Sequence, residues 1–287
     1  MVLQHELIYA LVGYTGKVVI KREGRFDLAP GLPLVSSSER SLVKRLLELA
    51  ECYSAIVHFC DTTLDGEADY CSSIRPSNSS FATAFALGLE ECLEPYRARV
   101  LELEQQLFRT PDLSLPTMQL AFCDFEIEIP QLRRIVAAVE KDALRGVALL
   151  DFLEYTHNSC VNSVRGCVGV LLRHTRLVML SQLSHWLLYG ELSTHDDFFI
   201  RRGAHASTED GSDSFDQPTP PGRPGAAVGR ERELVEVEVA SKVYAGWAAF
   251  EIAPELKPEL LPMRLAERVL FIGKGAAVCP TLLRCLE

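Results

Sequence analysis

The stretch from Ser181 to Ile200 reads SQLSHWLLYGELSTHDDFFI and joins an amphipathic helix, a glycine stop and an aromatic segment in that order. Apolar side chains recur at helical spacing up to Gly190, and glycine is the residue type that most often ends a helix. Phe198 and Phe199 begin a second apolar patch just beyond that stop. The pattern contains no catalytic chemistry, so it indicates packing and docking.

The same helical period extends outward from this stretch. In the N-terminal half, apolar residues separated by four, three, four and three positions form a further stripe: Leu42, Leu46, Leu49, Tyr53 and Ile56. This spacing predicts a helix, and Ser38 is its expected N-cap. We expect other helices at 80–108, 115–125, 131–141, 147–157 and 161–189. Pro95 should end or kink the first of these, and Pro130 should open the third.

Strand patterns are confined to residues 17–20 and 25–28, which predict one small hairpin and no other sheet. Residues 203–230 are rich in proline, glycine and acidic side chains, and such a composition predicts a flexible loop. The predicted fold is therefore all-α. It has multi-helix bundles in 1–202, the loop in 203–230, a helical continuation in 231–275 and an unassigned tail in 276–287.

Length and charge limit the function further. The chain has 287 residues, of which 48% are hydrophobic, and this is enough to build a sizeable core. Its 39 acidic and 29 basic side chains give a formal net charge of -10. Because a negative surface repels phosphate backbones, we expect no nucleic-acid partner.

Cysteine usage and the N-terminus indicate the compartment. The nine cysteines are scattered and form no Cys-x-x-Cys pair, so the spacing of a zinc finger is absent. Their odd number favours reduced thiols in the cytosol. His5 and Glu6 stand where a signal peptide would be apolar, and no apolar run approaches the roughly 20 residues that span a bilayer. We expect a cytoplasmic protein with no membrane partner.

Three short motifs have a superficial likeness to chemical sites. Segment 13–17 (GYTGK) lacks the first glycine and the final Ser or Thr of a phosphate loop, and it lies between a helix and a strand, so we interpret it as a helix stop. Segment 195–197 (HDD) has no second ligand cluster, which favours a solvated turn over a metal site. Cys60 and His58 lie on different helical faces, which favours a structural cysteine. We predict neither an enzyme nor a cofactor or metal site.

The aromatic residues near Gly190 are the candidates for contact with another protein, since aromatic side chains concentrate at interface hot spots. For Trp186 and Phe199 we favour core packing over contact, because an aromatic stripe at helical spacing is usually internal. For Tyr189, Glu191 and Phe198 the two interpretations are balanced. If they make the contact, truncation of Tyr189 or Phe198 should weaken pairing without lowering the melting temperature.

Two serines in the acidic segment 208–216 are candidate phosphorylation sites. Ser212 and Ser214 lie among carboxylates, a context that suits acidophilic phosphorylation and would add about two negative charges per site. The alternative is an unmodified solubilising loop.

Four collinear segments resemble one protein family. Residues 181–200 resemble the signature of the N-terminal Grip1 module of the gamma-tubulin complex proteins, the Spc97/Spc98 family. Residues 5–16 (HELIYALVGYTG) resemble the start of one member of that family, with Thr15 in place of the usual proline. Segments within 88–105 and 262–274 continue the likeness in order.

The resemblance implies a role in assembly. Members of this family pair laterally with neighbouring gamma-tubulin complex proteins and so build the complex that templates microtubules. This implies a structural subunit in the cytoplasm and cytoskeleton, at the centrosome or another microtubule-organising centre. The family holds gamma-tubulin through a C-terminal Grip2 module that the resemblance does not reach. We therefore expect a truncated chain with no gamma-tubulin contact of its own; the alternative is an assembly regulator that caps lateral association.

Overall fold

The computed structural model describes residues 2–22, 24–29, 36–64, 79–110, 113–192, 198–203 and 250–286. Contacts divide the chain into two units, Met1–Leu177 and Val178–Glu287. Eight α-helices lie in the described residues: α1 (Val2–Leu11), α2 (Ser37–Leu64), α3 (Ser80–Arg109), α4 (Leu115–Ala121), α5 (Phe125–Lys141), α6 (Gly146–Ser159), α7 (Asn162–Tyr189) and α8 (Met263–Leu286). The predicted all-α fold is confirmed.

The short strands pair in two antiparallel sheets. In the first unit, β1 (Val19–Arg22) pairs with β2 (Arg25–Leu28), which is the predicted hairpin. In the second unit, β3 (Ile200–Arg202) pairs with β4 (Phe250–Ile252), with Ile200 opposite Ile252. The second sheet is an addition to the predicted fold. Its strands have three residues each and lie far apart in the sequence, so no hairpin turn motif in the sequence predicts the pair.

Pro95, expected to end or kink its helix, and Pro130, expected to open one, both lie inside helices. Helix α3 continues through Pro95, with fully buried Leu93 and Tyr96 on either side of it. Helix α5 begins at Phe125 and contains Pro130, rather than starting after it. Proline removes one N–H from a helix, and burial of the flanking side chains offsets that loss.

The N-terminus of α2 also differs from the prediction. Its cap is Ser36, and Ser38 lies within the first turn. The Glu39 N–H donates to Ser36 Oγ at 3.3 Å, and the Ser36 N–H donates to Glu39 Oε2 at 2.8 Å. This reciprocal pair is a capping box, which satisfies two backbone donors that the first turn leaves free.

An aromatic cluster lies at the centre of the first unit. Tyr96 of α3 stacks on Tyr53 of α2 with ring centroids 4.9 Å apart, and the Phe125 ring meets Tyr96 edge-on at 5.4 Å. The buried Tyr96 hydroxyl donates to the Leu11 carbonyl at the end of α1 at 2.9 Å. One side chain of α3 thus contacts three other helices, α1, α2 and α5, and satisfies a carbonyl that the helix end leaves free.

Glu6 of α1 holds the hairpin in place. Its carboxylate accepts hydrogen bonds from three successive backbone N–H groups, those of Lys17 (3.1 Å), Val18 and Val19 (2.9 Å). A Cβ at Gly16 would overlap this carboxylate, so a larger residue there would displace Glu6 from these hydrogen bonds. The motif in residues 5–16 therefore has a structural explanation.

Removal of the Glu6 carboxylate should destabilise the first unit. Burial alone would raise the pKa of Glu6, but the N–H groups of Val19, Val18 and Lys17 bring that pKa below its ordinary 4.5. We expect Glu6→Gln to lower the free energy of unfolding by about 1 kcal/mol at neutral pH, as for a lost charge-assisted hydrogen bond at a partly exposed site.

The pH dependence provides the control. A carboxyl group whose pKa is lowered in the folded state stabilises it above the unfolded value, and this contribution is lost as the pH falls below 4.5. The difference between wild type and Glu6→Gln in urea denaturation should therefore shrink as the pH falls from 7 toward the acid range. A difference that stays constant with pH would contradict the role of the charge.

Candidate protein-interaction site

Trp186 is the centre of a hydrophobic core in the second unit. Its side chain is fully buried, and its ring meets Phe250 of β4 edge-on with centroids 4.9 Å apart. The indole N–H donates to the Val269 carbonyl of α8 at 2.9 Å. Phe199 is buried in the same cluster. Core packing, the interpretation favoured for Trp186 and Phe199, is what the structure shows.

Two glycines allow the helices of this unit to approach closely. Gly190 follows α7 with φ +64° and donates its N–H to the Trp186 carbonyl at 3.0 Å, an arrangement that ends helices in the left-handed conformation. A Cβ at Gly190 would overlap the backbone of Ala277, and a Cβ at Gly273 would overlap the Trp186 ring. Gly190 and Gly273, which lie in the segments that resemble the family, are thus needed for close packing of α7 against α8.

The structure corrects the expectation for Phe198. Its side chain is only 5% exposed and belongs to the Trp186 cluster, with its ring centroid 4.5 Å from that of Phe199. A side chain in this position cannot meet a partner without opening the core. Phe198→Ala is therefore expected to lower the melting temperature, contrary to the expectation from sequence.

An exposed apolar surface remains at the C-terminal end of α7. Leu180 is 49% exposed, Leu188 is 69% exposed and Tyr189 is 59% exposed. Leu180, Ser184 and Leu188 are four residues apart and share one helical face, and Tyr189 flanks it. We call these four residues the α7 ridge. Tyr189 is one of the residues predicted from the sequence. Leu180 and Leu188 are not, although the helical period places both away from Trp186.

The core-facing side of α7, opposite the ridge, is held by contacts within the second unit. Trp186 lies on the same helical turns as Leu188 and Tyr189 but faces the core. Its hydrogen bond to Val269 and the close approach at Gly190 fix the end of α7 within its unit. The His185 ring lies 5.8 Å from that of Tyr189. Because the backbone at the end of α7 is already fixed, it loses little conformational entropy when a partner binds, which favours contact.

The other candidate residues from the sequence are either exposed or outside the described part of the chain. Glu191 is exposed just beyond α7. The candidate phosphorylation sites Ser212 and Ser214 lie outside the described residues, as do segment 195–197 and nearly all of the 203–230 loop.

The segment that resembles a phosphate loop has a structural role. Gly13 has φ +95° and ends α1, with the Tyr14 N–H donating to the Tyr9 carbonyl at 3.0 Å. The backbone N–H groups of Lys17 and Val18, which would have to cradle a phosphate, already donate to Glu6. The interpretation of this segment as a helix stop is confirmed.

The cysteines of α2 lack the environment of a nucleophile. Cys60 is buried, and burial raises the pKa of its thiol to about 12. Burial also raises the pKa of Cys52. His58 is exposed. These thiols stay protonated at neutral pH, and the interpretation of Cys60 as a structural residue is supported.

Among the residues that the structure describes, no group of three or more His, Cys, Asp or Glu side chains could hold a metal ion. No helix in this part of the chain is both long enough and apolar enough to cross a membrane.

Comparison with known proteins identifies relatives of the chain. A family model described as "Gamma tubulin complex component N-terminal" matches residues 5–282. The match therefore reaches into segment 276–287, which the sequence analysis left unassigned.

Individual relatives agree with this match. The chain is 29% identical over 288 residues to gamma-tubulin complex component 4 of Homo sapiens, with coverage of 94% of this chain and 42% of that protein. It is 28% identical over 310 residues to gamma-tubulin complex component 4 of Arabidopsis thaliana, with coverage of 96% and 40%. The Medicago truncatula homolog is 28% identical over 299 residues, with coverage of 96% and 38%. The chain spans about two fifths of the length of these relatives.

Proposed function

The chain belongs to the gamma-tubulin complex component N-terminal family, and from this premise we propose that it acts as a non-catalytic structural subunit of a gamma-tubulin complex. Its relatives in plants and mammals are named as components of that complex. In this role the chain contacts neighbouring gamma-tubulin complex proteins laterally and supports microtubule nucleation. Its place of action is the cytoskeleton, at a centrosome or another microtubule-organising centre. The proposal assigns no gamma-tubulin contact to these residues.

The observation that carries the lateral contact is the α7 ridge. Large apolar side chains that are about half or more exposed, placed together on or beside one helical face, are typical of a surface that another protein covers. Tyrosine is enriched among the residues that dominate binding energy. Tyr189 and Leu188 therefore form the centre of the proposed contact.

The chemistry of the ridge indicates the kind of partner. Its four residues carry no formal charge, although the chain as a whole has a net charge of -10. The contact should thus depend on apolar burial and shape, and the partner should present an apolar helical face. Because screening by salt weakens ionic contacts and leaves apolar contacts in place, pairing should depend little on ionic strength.

Substitution of the ridge should weaken pairing without unfolding the chain. We expect Leu188→Asp and Tyr189→Ala each to reduce affinity for the N-terminal module of a second gamma-tubulin complex protein by roughly 30-fold, which corresponds to a hot-spot loss of about 2 kcal/mol. Because both side chains are largely exposed, thermal denaturation should change little. Isothermal titration calorimetry of each variant measures the affinity.

Two exposed residues of the first unit provide matched controls. Leu101 of α3 and Tyr155 of α6 are also exposed, so Leu101→Asp and Tyr155→Ala repeat the same chemical changes elsewhere. These variants should bind as the wild type does. If the controls weaken pairing and the ridge variants leave it intact, the contact lies on the first unit and the assignment to α7 is wrong.

A further inference from the structure

Two cysteines of the first unit meet where α3 and α7 approach each other. The helices pack tightly at Gly88, where a Cβ would lie 3.3 Å from the Leu171 Cα and 3.1 Å from its Cδ2. Cys92 lies one turn after Gly88, and Cys167 lies one turn before Leu171. The antiparallel helices therefore bring the two cysteines to the same level, with Cys92 Sγ 3.4 Å from the Cys167 carbonyl oxygen.

A second pair of contacts holds the helices together beside the cysteines. Glu91 of α3 forms an ion pair with Arg173 of α7. His174 Nε2 lies 2.8 Å from Glu91 Oε2. With the close contact at Gly88, these interactions fix the spacing of the helices. A disulfide requires such a spacing, because its bond lengths and dihedral angles tolerate little error.

The two thiols are unequal partners. The Cys92 thiol donates to the Cys167 carbonyl oxygen. The side-chain interaction between the two thiols raises the pKa of Cys92 and lowers that of Cys167. Both side chains are partly exposed. Cys167 is thus the better nucleophile, since the thiolate is the reactive form, and Cys92 is placed to attack next.

We propose that Cys92 and Cys167 are a redox modification site, at which a low-molecular-weight disulfide such as glutathione disulfide converts the two thiols into a disulfide that joins α3 to α7. The Cys167 thiolate attacks one sulfur of glutathione disulfide, which forms a mixed disulfide and releases one glutathione thiolate. That thiolate takes the proton of Cys92, and the resulting Cys92 thiolate attacks the Cys167 sulfur and releases the second glutathione. The two cysteines are oxidised, and one glutathione disulfide is reduced to two glutathione molecules.

The bond would constrain the first unit. It links residues 75 positions apart in the sequence, and cross-links that close long loops restrict the unfolded chain most. The oxidised chain should therefore have a higher melting temperature than the reduced chain. Dithiothreitol should reverse both the bond and the shift.

Peptide mapping of the full chain tests this proposal. The purified, reduced chain is incubated with glutathione disulfide, the remaining thiols are blocked, and the protein is digested without reduction for mass spectrometry. We expect a peptide pair linked through Cys92 and Cys167 whose mass is lower by two hydrogen atoms. The pair should be absent from Cys92→Ser and Cys167→Ser and should persist in Cys123→Ser, which alters an exposed cysteine.

Wild-type maps alone can overturn the proposal, even if a serine variant fails to fold. If glutathione modifies Cys123 while Cys92 and Cys167 remain unlinked, the two thiols are too far apart or too poorly aligned to react. Stable mixed disulfides at Cys167 with no linked pair would show that Cys92 cannot complete the exchange.

Discussion

Trp186→Ala should reduce the free energy of unfolding by about 3–5 kcal/mol, the range for removal of a large buried aromatic side chain. The side chain is fully buried and makes an edge-on contact with Phe250 at 4.9 Å. Its loss leaves a cavity between α7, α8 and β4, because Val269 and Gly273 are fixed in a helix and cannot fill the space. Thermal denaturation should show a melting temperature lower by roughly 10 °C.

Trp186→Phe separates packing from hydrogen bonding. Phenylalanine keeps most of the apolar volume but removes the donor to the Val269 carbonyl. We expect a smaller loss of about 1–2 kcal/mol, mainly from the smaller ring and the lost hydrogen bond. If Trp186→Ala melts as the wild type does, the indole is not the centre of this core.

Gly190→Ala should cost about 2–4 kcal/mol, which is the sum of a left-handed backbone and an overpacked contact. The residue has φ +64°, a conformation that L side chains rarely adopt. The new Cβ would also overlap the backbone of Ala277, which a rotamer change cannot relieve. Urea denaturation measures the loss.

Two other glycines separate these causes. Gly24 has φ +82°, but no atom lies within 4 Å of the place that a Cβ would take, so Gly24→Ala should cost only about 1 kcal/mol. Gly275 lies inside α8 with equally open surroundings, so Gly275→Ala should stabilise the chain by about 0.5–1 kcal/mol. A loss at Gly190 no greater than that at Gly24 would show that α8 moves aside.

The helical period of the apolar residues predicted the fold well, because the side chains that a helix buries must lie on one of its faces. The stripe that includes Leu46 and Tyr53 is buried in α2, and Trp186 lies in a core, as a large aromatic residue on an apolar face should. Helix ends were harder to predict. Ser36 caps α2 and Ser38 does not, because a capping box pairs the N-cap with an acidic residue three positions later, and that residue is Glu39.

The parts that sequence did not predict depend on distant contacts. The pairing of Ile200 with Ile252 joins segments that are not neighbours in the chain. Phe198 and Tyr189 are both aromatic and close in sequence, yet the first is buried by residues around β4 and the second is exposed. Composition cannot separate these two outcomes. The Cys92–Cys167 pair likewise exists only because α3 and α7 meet at Gly88.

The proposed lateral pairing is tested most directly by sedimentation velocity of the 287-residue chain mixed with the N-terminal module of a second gamma-tubulin complex protein. The proposal predicts a complex of one copy of each, with a dissociation constant of about 1 μM or tighter and little dependence on salt. In Leu188→Asp the dissociation constant should rise by roughly 30-fold, so that far less complex forms at the same concentrations. Two components that sediment independently at concentrations well above this value, while both remain folded, would contradict the proposed function.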